Sequence, residues 1–436
     1  MSDRLDIWLY GAKVATIELE RRRMRLRYTR QALESFPGGA PLLSLRLRVT
    51  DERYPNGAVR SFLDGLLPEG EPRRVIAEDL GLRSDDTFNL ALALGRDCAG
   101  ALVIQPDNEE APPAPTTLTA EPLGDDELAR LVENLRSAPL GVDRRVRISL
   151  AGVQEKLLLT RLPDGRWGRP VDGTPSTHIL KPEIRDYPQT VENEAFCMRV
   201  AKHLGIAVAD IETKTVGARK LIVVSRYDRV VAPSGVVERI HQEDFCQATG
   251  TMPAKKYEED GGPSLRKIAG ILSESDPDSL GSLLRAVTLN VVIGNGDAHA
   301  KNFSLLHDRS GALRLAPLYD LLSTLMYGDD RLAMYIDDVH RTNRVTFDRL
   351  LNEAATWGLS RTRAADIVTD LLTRLPDAVE RAARETPGTP AEILEIVRTQ
   401  LDALKPSDTE ILARSGPDPE LTGLAEHIAN QPSPLD

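Results

Sequence analysis

The chain has 436 residues, 41% of them hydrophobic and 28% charged, with a formal net charge of -11. That length exceeds what one hydrophobic core usually serves, so two or three packed units are expected, and the composition excludes disorder as the main state. The acidic balance argues against the whole surface acting as a nucleic-acid footprint, because phosphate binding needs clustered Lys and Arg.

The start, MSDRLDIWLYG, alternates apolar and polar residues like a strand and lacks the basic-then-apolar layout of a secretory signal. The stretches LDIWLY, VATIEL and MRLRY predict a small antiparallel sheet turning at Gly11-Ala12-Lys13 and ending before Pro37-Gly38-Gly39. In the basic run Arg21 to Tyr28, Met24, Leu26 and Tyr28 alternate with arginines, which predicts a half-buried strand with a solvated face rather than a DNA-reading surface. Helices follow, one with Pro72 in its first turn and Gly81 at its end, and one capped by Ser84 and ending near Gly95. Residues 1–105 are therefore read as one subdomain. The Pro-, Thr- and Glu-rich stretch 106–122 has almost nothing to bury and reads as a linker.

A short amphipathic helix is expected from Asp125 to Arg136, then a hairpin turning at Pro163-Asp164-Gly165, a helix from Thr190 to Leu204, and strands over 210–216 and 220–224. The fold class expected is α+β, with a β-rich lobe over 140–250, a helical lobe over 251–405 and a loosely ordered tail over 406–436. The longest apolar stretch, Leu283 to Ile293, is broken by Arg285 and Asn290 and falls short of the roughly 20 residues of a membrane helix, so no membrane partner is expected. Cys98, Cys197 and Cys246 are odd in number and form no C-x-x-C pair, which fits the cytoplasm and no zinc site.

The most informative segment is Gly294 to Asn302, where Asp297 and Asn302 lie five residues apart on one loop. In a phosphoryl-transfer loop of that spacing the Asp accepts the proton of the acceptor hydroxyl and the Asn holds a magnesium ion. Asp320, in Leu318-Tyr319-Asp320 behind the strand-like Ala312 to Leu315, would complete the set of hard oxygen ligands that magnesium prefers. Lys181 ends an apolar strand, and a lysine contacting nucleotide phosphates needs a carboxylate to fix it, for which Glu194 is favoured over Glu192. A small-residue loop, Ser149 to Lys156, can turn backbone N–H groups toward phosphate oxygens. Singly, each of these reads as an Asx turn, a strand-end lysine, a helix cap or a plain hairpin. In this order along one chain they point to phosphoryl transfer.

At these residues the sequence resembles the HipA family of toxin kinases over nearly its whole length, through SLAGVQEK, THILKP, NEAFC, HQEDFCQ, KYEEDGGP, GNGDAHAKNFS and LYDLLS, with LDIWLYGAKVATIEL and SFLDGLLPEG in the N-terminal part. The resemblance implies a bilobed protein-kinase-like fold with an extra N-terminal β-rich subdomain and an α-helical C-terminal lobe. It implies ATP and Mg2+ as cofactors and a protein serine as acceptor, an aminoacyl-tRNA synthetase of the glutamyl type being favoured as substrate. Asp297 would be the catalytic base, Asn302 and Asp320 the metal ligands, and Ser149 the site of autophosphorylation. ATP would be held by Ala151, Gly152, Val153, Gln154, Lys156 and Lys181, by backbone groups of Glu243 and Phe245 at the hinge, and by His299 and Lys301. The expected partner is a small helix-turn-helix antitoxin resembling HipB, with DNA reached only through that complex. The motif from Tyr257 to Gly262 belongs to the resemblance without a derivable task.

Three other readings compete. The pattern Gly296-Asp297-x-His299-x-x-Asn302 also fits lipid and other atypical kinases, but no basic or amphipathic membrane-facing surface is evident. A two-metal phosphoesterase would need further ligands in register, whereas the histidines at 178, 203, 241, 299, 307, 340 and 427 are scattered. A corepressor that chiefly binds an antitoxin is compatible with kinase activity and is separated from it by transfer of labelled γ-phosphate.

Overall fold

A computed structural model describes residues 3–114, 116–117, 120–140, 149–152, 154–171, 173–309 and 311–405. The expected tail over 406–436 and the expected contact residue Val153 lie outside the described residues.

The N-terminal unit is an antiparallel sheet of four strands in the order Arg23–Tyr28, Ala12–Glu20, Arg4–Leu9, Leu102–Pro106. Its basic strand obeys the period of two: Met24, Leu26 and Tyr28 are buried while Arg23 and Arg27 are exposed. Val59, Phe62, Leu63 and Leu66 of helix Asn56–Leu66, together with Phe88 and Ala91 of helix Thr87–Leu94, cover the apolar face. The latter helix is capped by Asp86, whose side chain accepts from the N–H of Asn89, and not by the expected Ser84. Residues 106–122 are more than a linker. Thr116–Thr117 pairs with Val236–Arg239, and Glu121–Pro122 pairs with Trp167–Arg169, because ladder hydrogen bonds need backbone rather than apolar side chains.

The second unit is a six-stranded sheet in the order Ile211–Val216, Arg219–Ser225, His178–Pro182, Leu157–Arg161, Trp167–Arg169, Glu121–Pro122. One face carries helix Thr190–His203, whose Phe196, Cys197, Val200 and Ala201 join the core of the helical lobe. That lobe is built from Leu265–Ser275, Ser279–Val292, Phe347–Thr356, Arg361–Glu385 and Ala391–Ala403. A three-stranded sheet, His241–Asp244, Ser304–His307 and Leu313–Leu315, lies between the lobes. The three cysteines are buried single thiols.

The N-terminal unit is fastened to this middle sheet by buried polar groups. Glu243 accepts from Ser44 Oγ at 2.5 Å and from the Leu45 N–H at 2.8 Å, and His307 lies 2.9 Å from the same carboxylate and 3.0 Å from the Pro41 carbonyl. A second joint surrounds Asp97, which takes Arg229 at 2.9 Å and Arg226 and Arg239 at 3.5 Å, with Asp228 accepting from the Gly100 N–H at 2.7 Å. Charges buried this deeply persist only when each has partners, so the joint requires both units at once.

Candidate active site

The apolar helix Ser279–Val292 ends where Gly294 takes a φ of +68°, and the loop Gly294 to Asn302 begins. Glycine is required at both ends of the Gly-Asn-Gly start by crowding. A Cβ at Gly294 would meet Ile396 and Leu325 at 2.9 Å, and one at Gly296 would meet the Arg331 carbonyl at 2.1 Å. Between them Asn295 makes the Asx turn, accepting from the Asp297 N–H at 3.1 Å while its amide binds Asn290 at 2.8 Å. Asp297 is thereby left with its carboxylate free of the turn. Its Oδ1 accepts from the Tyr257 hydroxyl at 2.8 Å, and burial holds its pKa above the ordinary carboxylate value.

Asn302 ends the loop, and its Nδ2 donates to Asp320 Oδ2 at 2.9 Å. Asp320 sits at a φ of +58°, the left-handed region that costs a non-glycine residue roughly 1–2 kcal/mol, so the surrounding structure must hold it there. The chain before it is pinned by Leu318, whose N–H donates to the Ala207 carbonyl and whose carbonyl accepts from Ala209, and by Tyr319, whose hydroxyl donates to the Lys301 carbonyl at 2.7 Å.

Lys181 comes from the opposite lobe, at the end of His178–Pro182. Its Nζ lies 2.7 Å from Glu194 Oε1 and 2.6 Å from Asp320 Oδ1. Burial opposes the charge on every member of this trio, and the outcomes differ. The two carboxylates raise Lys181 above its ordinary range, Lys181 draws Asp320 below the usual carboxylate range, and burial prevails at Glu194, which is pushed up. Glu192, two residues from Glu194 on the same helix, points elsewhere and pairs with Lys220.

The small-residue loop closes the roof. The Ser149 N–H donates to the Asp97 carbonyl at 3.0 Å, and its hydroxyl, fully buried, donates to the Leu66 carbonyl at 2.6 Å. Lys156 donates to the Ala151 carbonyl at 2.7 Å and packs so near Gly152 that a Cβ there would lie 2.5 Å from its Nζ. Burial, reinforced by the like charge of Lys181, lowers Lys156 to about 8.

These groups line a cleft of about 880 Å³ between the lobes, walled by Ala151, Gly152, Gln154, Lys156, Lys181, Asp297, His299, Lys301, Asn302 and Asp320. That volume is in the range of nucleotide- and drug-sized sites. The two expected hinge residues, Glu243 and Phe245, are not among the residues that line it. Along His241–Asp244, Gln242 and Asp244 face the cleft, so the alternation of a strand sends the Glu243 side chain to the N-terminal unit, whereas the contact expected of this residue is one of its backbone. The Phe245 N–H donates to the carbonyls of Ala300 and Phe303, both at 3.2 Å. Lys301 lines the cleft but is held by Asp244 at 2.5 Å and lies 3.8 Å from Glu69. His299 is buried and neutral, its pKa lowered to about 3 by burial and then by Lys256, and its Nδ1 has no partner among the described residues. Sequence reasoning gave the motif of Tyr257 no task and did not single out Asp244, and the contacts of these two residues join segments that are 40 and 57 residues apart.

Comparison with known proteins gives consistent likenesses. Residues 5–105 match the family model "HipA N-terminal domain" and residues 148–379 the model "HipA-like C-terminal domain". The putative kinase Y4mE of Sinorhizobium fredii is 40% identical over 353 residues, covering 79% of this chain and 83% of that protein. The serine/threonine-protein kinase toxin HipA of Shewanella oneidensis is 34% identical over 340 residues, covering 74% of this chain and 76% of the relative. Among solved structures, the complex of Shewanella oneidensis HipA, HipB and operator DNA contains a chain that superimposes with a TM-score of 0.77 at 28% identity, covering 92% of this chain and 95% of the other.

Proposed function

The chain belongs to the HipA family of serine/threonine-protein kinase toxins, and from that premise we propose that it transfers the γ-phosphate of ATP to a serine hydroxyl of a protein substrate at the cleft between its lobes. The observation that carries this assignment is the convergence of Lys181, Glu194, Asp320 and Asn302 within direct hydrogen-bonding distance, although Lys181 and Asp320 are 139 residues apart.

The donors present suit Mg·ATP: one charged carboxylate and one amide for a hard cation, and buried ammonium groups for phosphates. Asp320 and Asn302 would hold magnesium, which when bound neutralises charge on the β- and γ-phosphates. Lys181 balances Asp320, and with a nucleotide bound its ammonium would be available to phosphate oxygens while Glu194 keeps its direction. Lys156 adds a second cation beneath the Ala151-Gly152 roof. Asp297 takes the proton of the serine hydroxyl as its oxygen bonds to phosphorus and ADP departs, and its raised pKa brings it nearer the proton it must accept.

The finer parts of the reading rest on the family likeness. The substrate is proposed to be an aminoacyl-tRNA synthetase, the glutamyl enzyme being favoured, and the location the cytoplasm. No described helix is long and apolar enough to cross a membrane. Ser149 is proposed as the site of autophosphorylation. Its hydroxyl is buried against Leu66, so the loop must leave its seat to receive and retain a phosphate. A small DNA-binding antitoxin is the proposed partner, DNA being reached through it, as the Shewanella complex of HipA, HipB and operator suggests. Incubation with γ-labelled ATP tests the reading. Label should enter protein with the wild type and disappear with Asp297→Ala, and label that survives that change would refute the assigned base.

A further inference from the structure

The Tyr257 hydroxyl donates to Asp297 Oδ1 at 2.8 Å. A kinase base accepts that same bond from the hydroxyl about to be phosphorylated. Within the proposed function, therefore, one oxygen of the base already accepts such a bond from a side chain of the enzyme.

Tyr257 is mounted so that this is no accident of a loose loop. It stands between the short turns Pro253–Lys255 and Glu258–Asp260, and its carbonyl accepts from the N–H groups of Asp260 at 3.1 Å and Gly262 at 2.9 Å. Gly262 must lack a Cβ, which would lie 2.4 Å from the Lys255 carbonyl and 2.6 Å from that of Tyr257. The turn is tied to the catalytic loop through the Ala300 N–H and Lys256 carbonyl at 3.4 Å. It is tied to strand Arg331–Ile336 through Glu258, which accepts from the Tyr335 N–H at 2.7 Å. The phenol ring stands edge-on to His299, 5.4 Å between centroids, and the Lys256 ammonium lies 5.4 Å from its centre. The backbone is thus fixed, while the ring itself is half-exposed.

We propose that Tyr257 is a placeholder for the substrate hydroxyl. While no protein acceptor is bound, the phenol occupies the proton-accepting oxygen of Asp297 and keeps water from it, and an incoming serine takes over that bond as the ring swings aside. The reaction it suppresses is hydrolysis: a water oxygen bonds to the γ-phosphorus, the bond from phosphorus to the β,γ-bridging oxygen breaks, ADP leaves, and the water proton passes to Asp297. Excluding water from a phosphoryl-transfer site is what separates a kinase from an ATPase. Tyr257→Phe keeps the ring and removes the donated bond, and Tyr257→Ala opens the space as well.

The test follows Mg·[γ-32P]ATP into two products, free phosphate and protein-bound label, with the chain itself and casein as acceptors. The expected result is a several-fold rise in the ratio of free phosphate to protein-bound label in Tyr257→Phe, a larger rise in Tyr257→Ala, and loss of the extra phosphate when Asp297→Asn is added. A ratio equal to or below that of the wild type in Tyr257→Phe overturns the proposal, as does phosphate found on Tyr257 itself by peptide mapping. Should Tyr257→Ala fail to fold by thermal melting, the Phe variant decides alone. The inference rests on the kinase reading. If wild-type protein gives no Asp297-dependent label transfer, both fall, whereas transfer with an unmoved ratio sinks only the placeholder.

Discussion

Lys156 gives the cleft a charge that alkaline pH should remove. Burial and the neighbouring Lys181 bring its pKa down to about 8, while Lys181 and Lys301 are held above their ordinary range and burial pushes His299 down to about 3. Raising pH from about 7 to about 9 lowers the protonated fraction of such a lysine from about nine-tenths to about one-tenth. A bound triphosphate favours the ammonium and returns it toward its usual pKa, so the complex keeps the proton that the free protein has lost. Nucleotide affinity must then fall as pH rises, by about tenfold across that window, or about 1.4 kcal/mol. Calorimetric titration with a magnesium complex of a non-hydrolysable ATP analogue reads this directly. Repeated near pH 8.5 in buffers of different ionisation heat, it should show uptake of about three-quarters of a proton. Lys156→Met should bind more weakly at neutral pH and lose most of the slope. A wild-type affinity that is flat from neutral to alkaline pH, or a Met variant with an undiminished slope, would refute the argument that this lysine meets the phosphates.

Asp297→Ala should lower phosphotransfer by about 10²- to 10⁴-fold with nucleotide affinity little changed, whereas Asp320→Ala should also weaken Mg·ATP, so that equal losses of affinity by calorimetry would contradict the division of roles. Asp97→Ala leaves Arg226, Arg229 and Arg239 buried around a missing carboxylate and should destabilise the fold by about 3–5 kcal/mol, read as a lowered urea midpoint. Ser149→Ala forfeits one buried hydrogen bond and should cost about 1 kcal/mol, while Ser149→Asp, which places a charge on the same seat, should cost clearly more in the same titration.

What the sequence disclosed and what it hid divide along the range of the interactions. Asp297 and Asn302 share one loop, and Lys181 and Glu194 lie 13 residues apart, so local spacing was enough to nominate each pair. The roughly 100° step of a helix sends Glu192 and Glu194 to different faces, so only one of them could meet Lys181, and the structure shows that it is Glu194. The direction of the hinge side chains was hidden for the opposite reason. His241-Gln242-Glu243-Asp244 has no apolar alternation to reveal which side chains face inward, and Glu243 is turned by Ser44 and Leu45, about 200 residues earlier in the chain. The strands within 106–122 carry no hydrophobic signal, since each is two residues long and is held by its neighbour's backbone. Nor could the positive φ of Asp320 be foreseen, because that conformation is imposed by the pinned residues before it.

The fastening of loop 41–47 onto Glu243 also sets an order of events during synthesis. The partners are 198 and 199 residues apart, so at about 5–20 residues per second the N-terminal unit leaves the ribosome and waits about 10–40 s for the strand that receives it. The carboxylate that meets Lys181 emerges later still, at position 320. A nascent chain therefore carries a nearly complete roof with no floor beneath it, and the cleft cannot be assembled until translation has passed position 320.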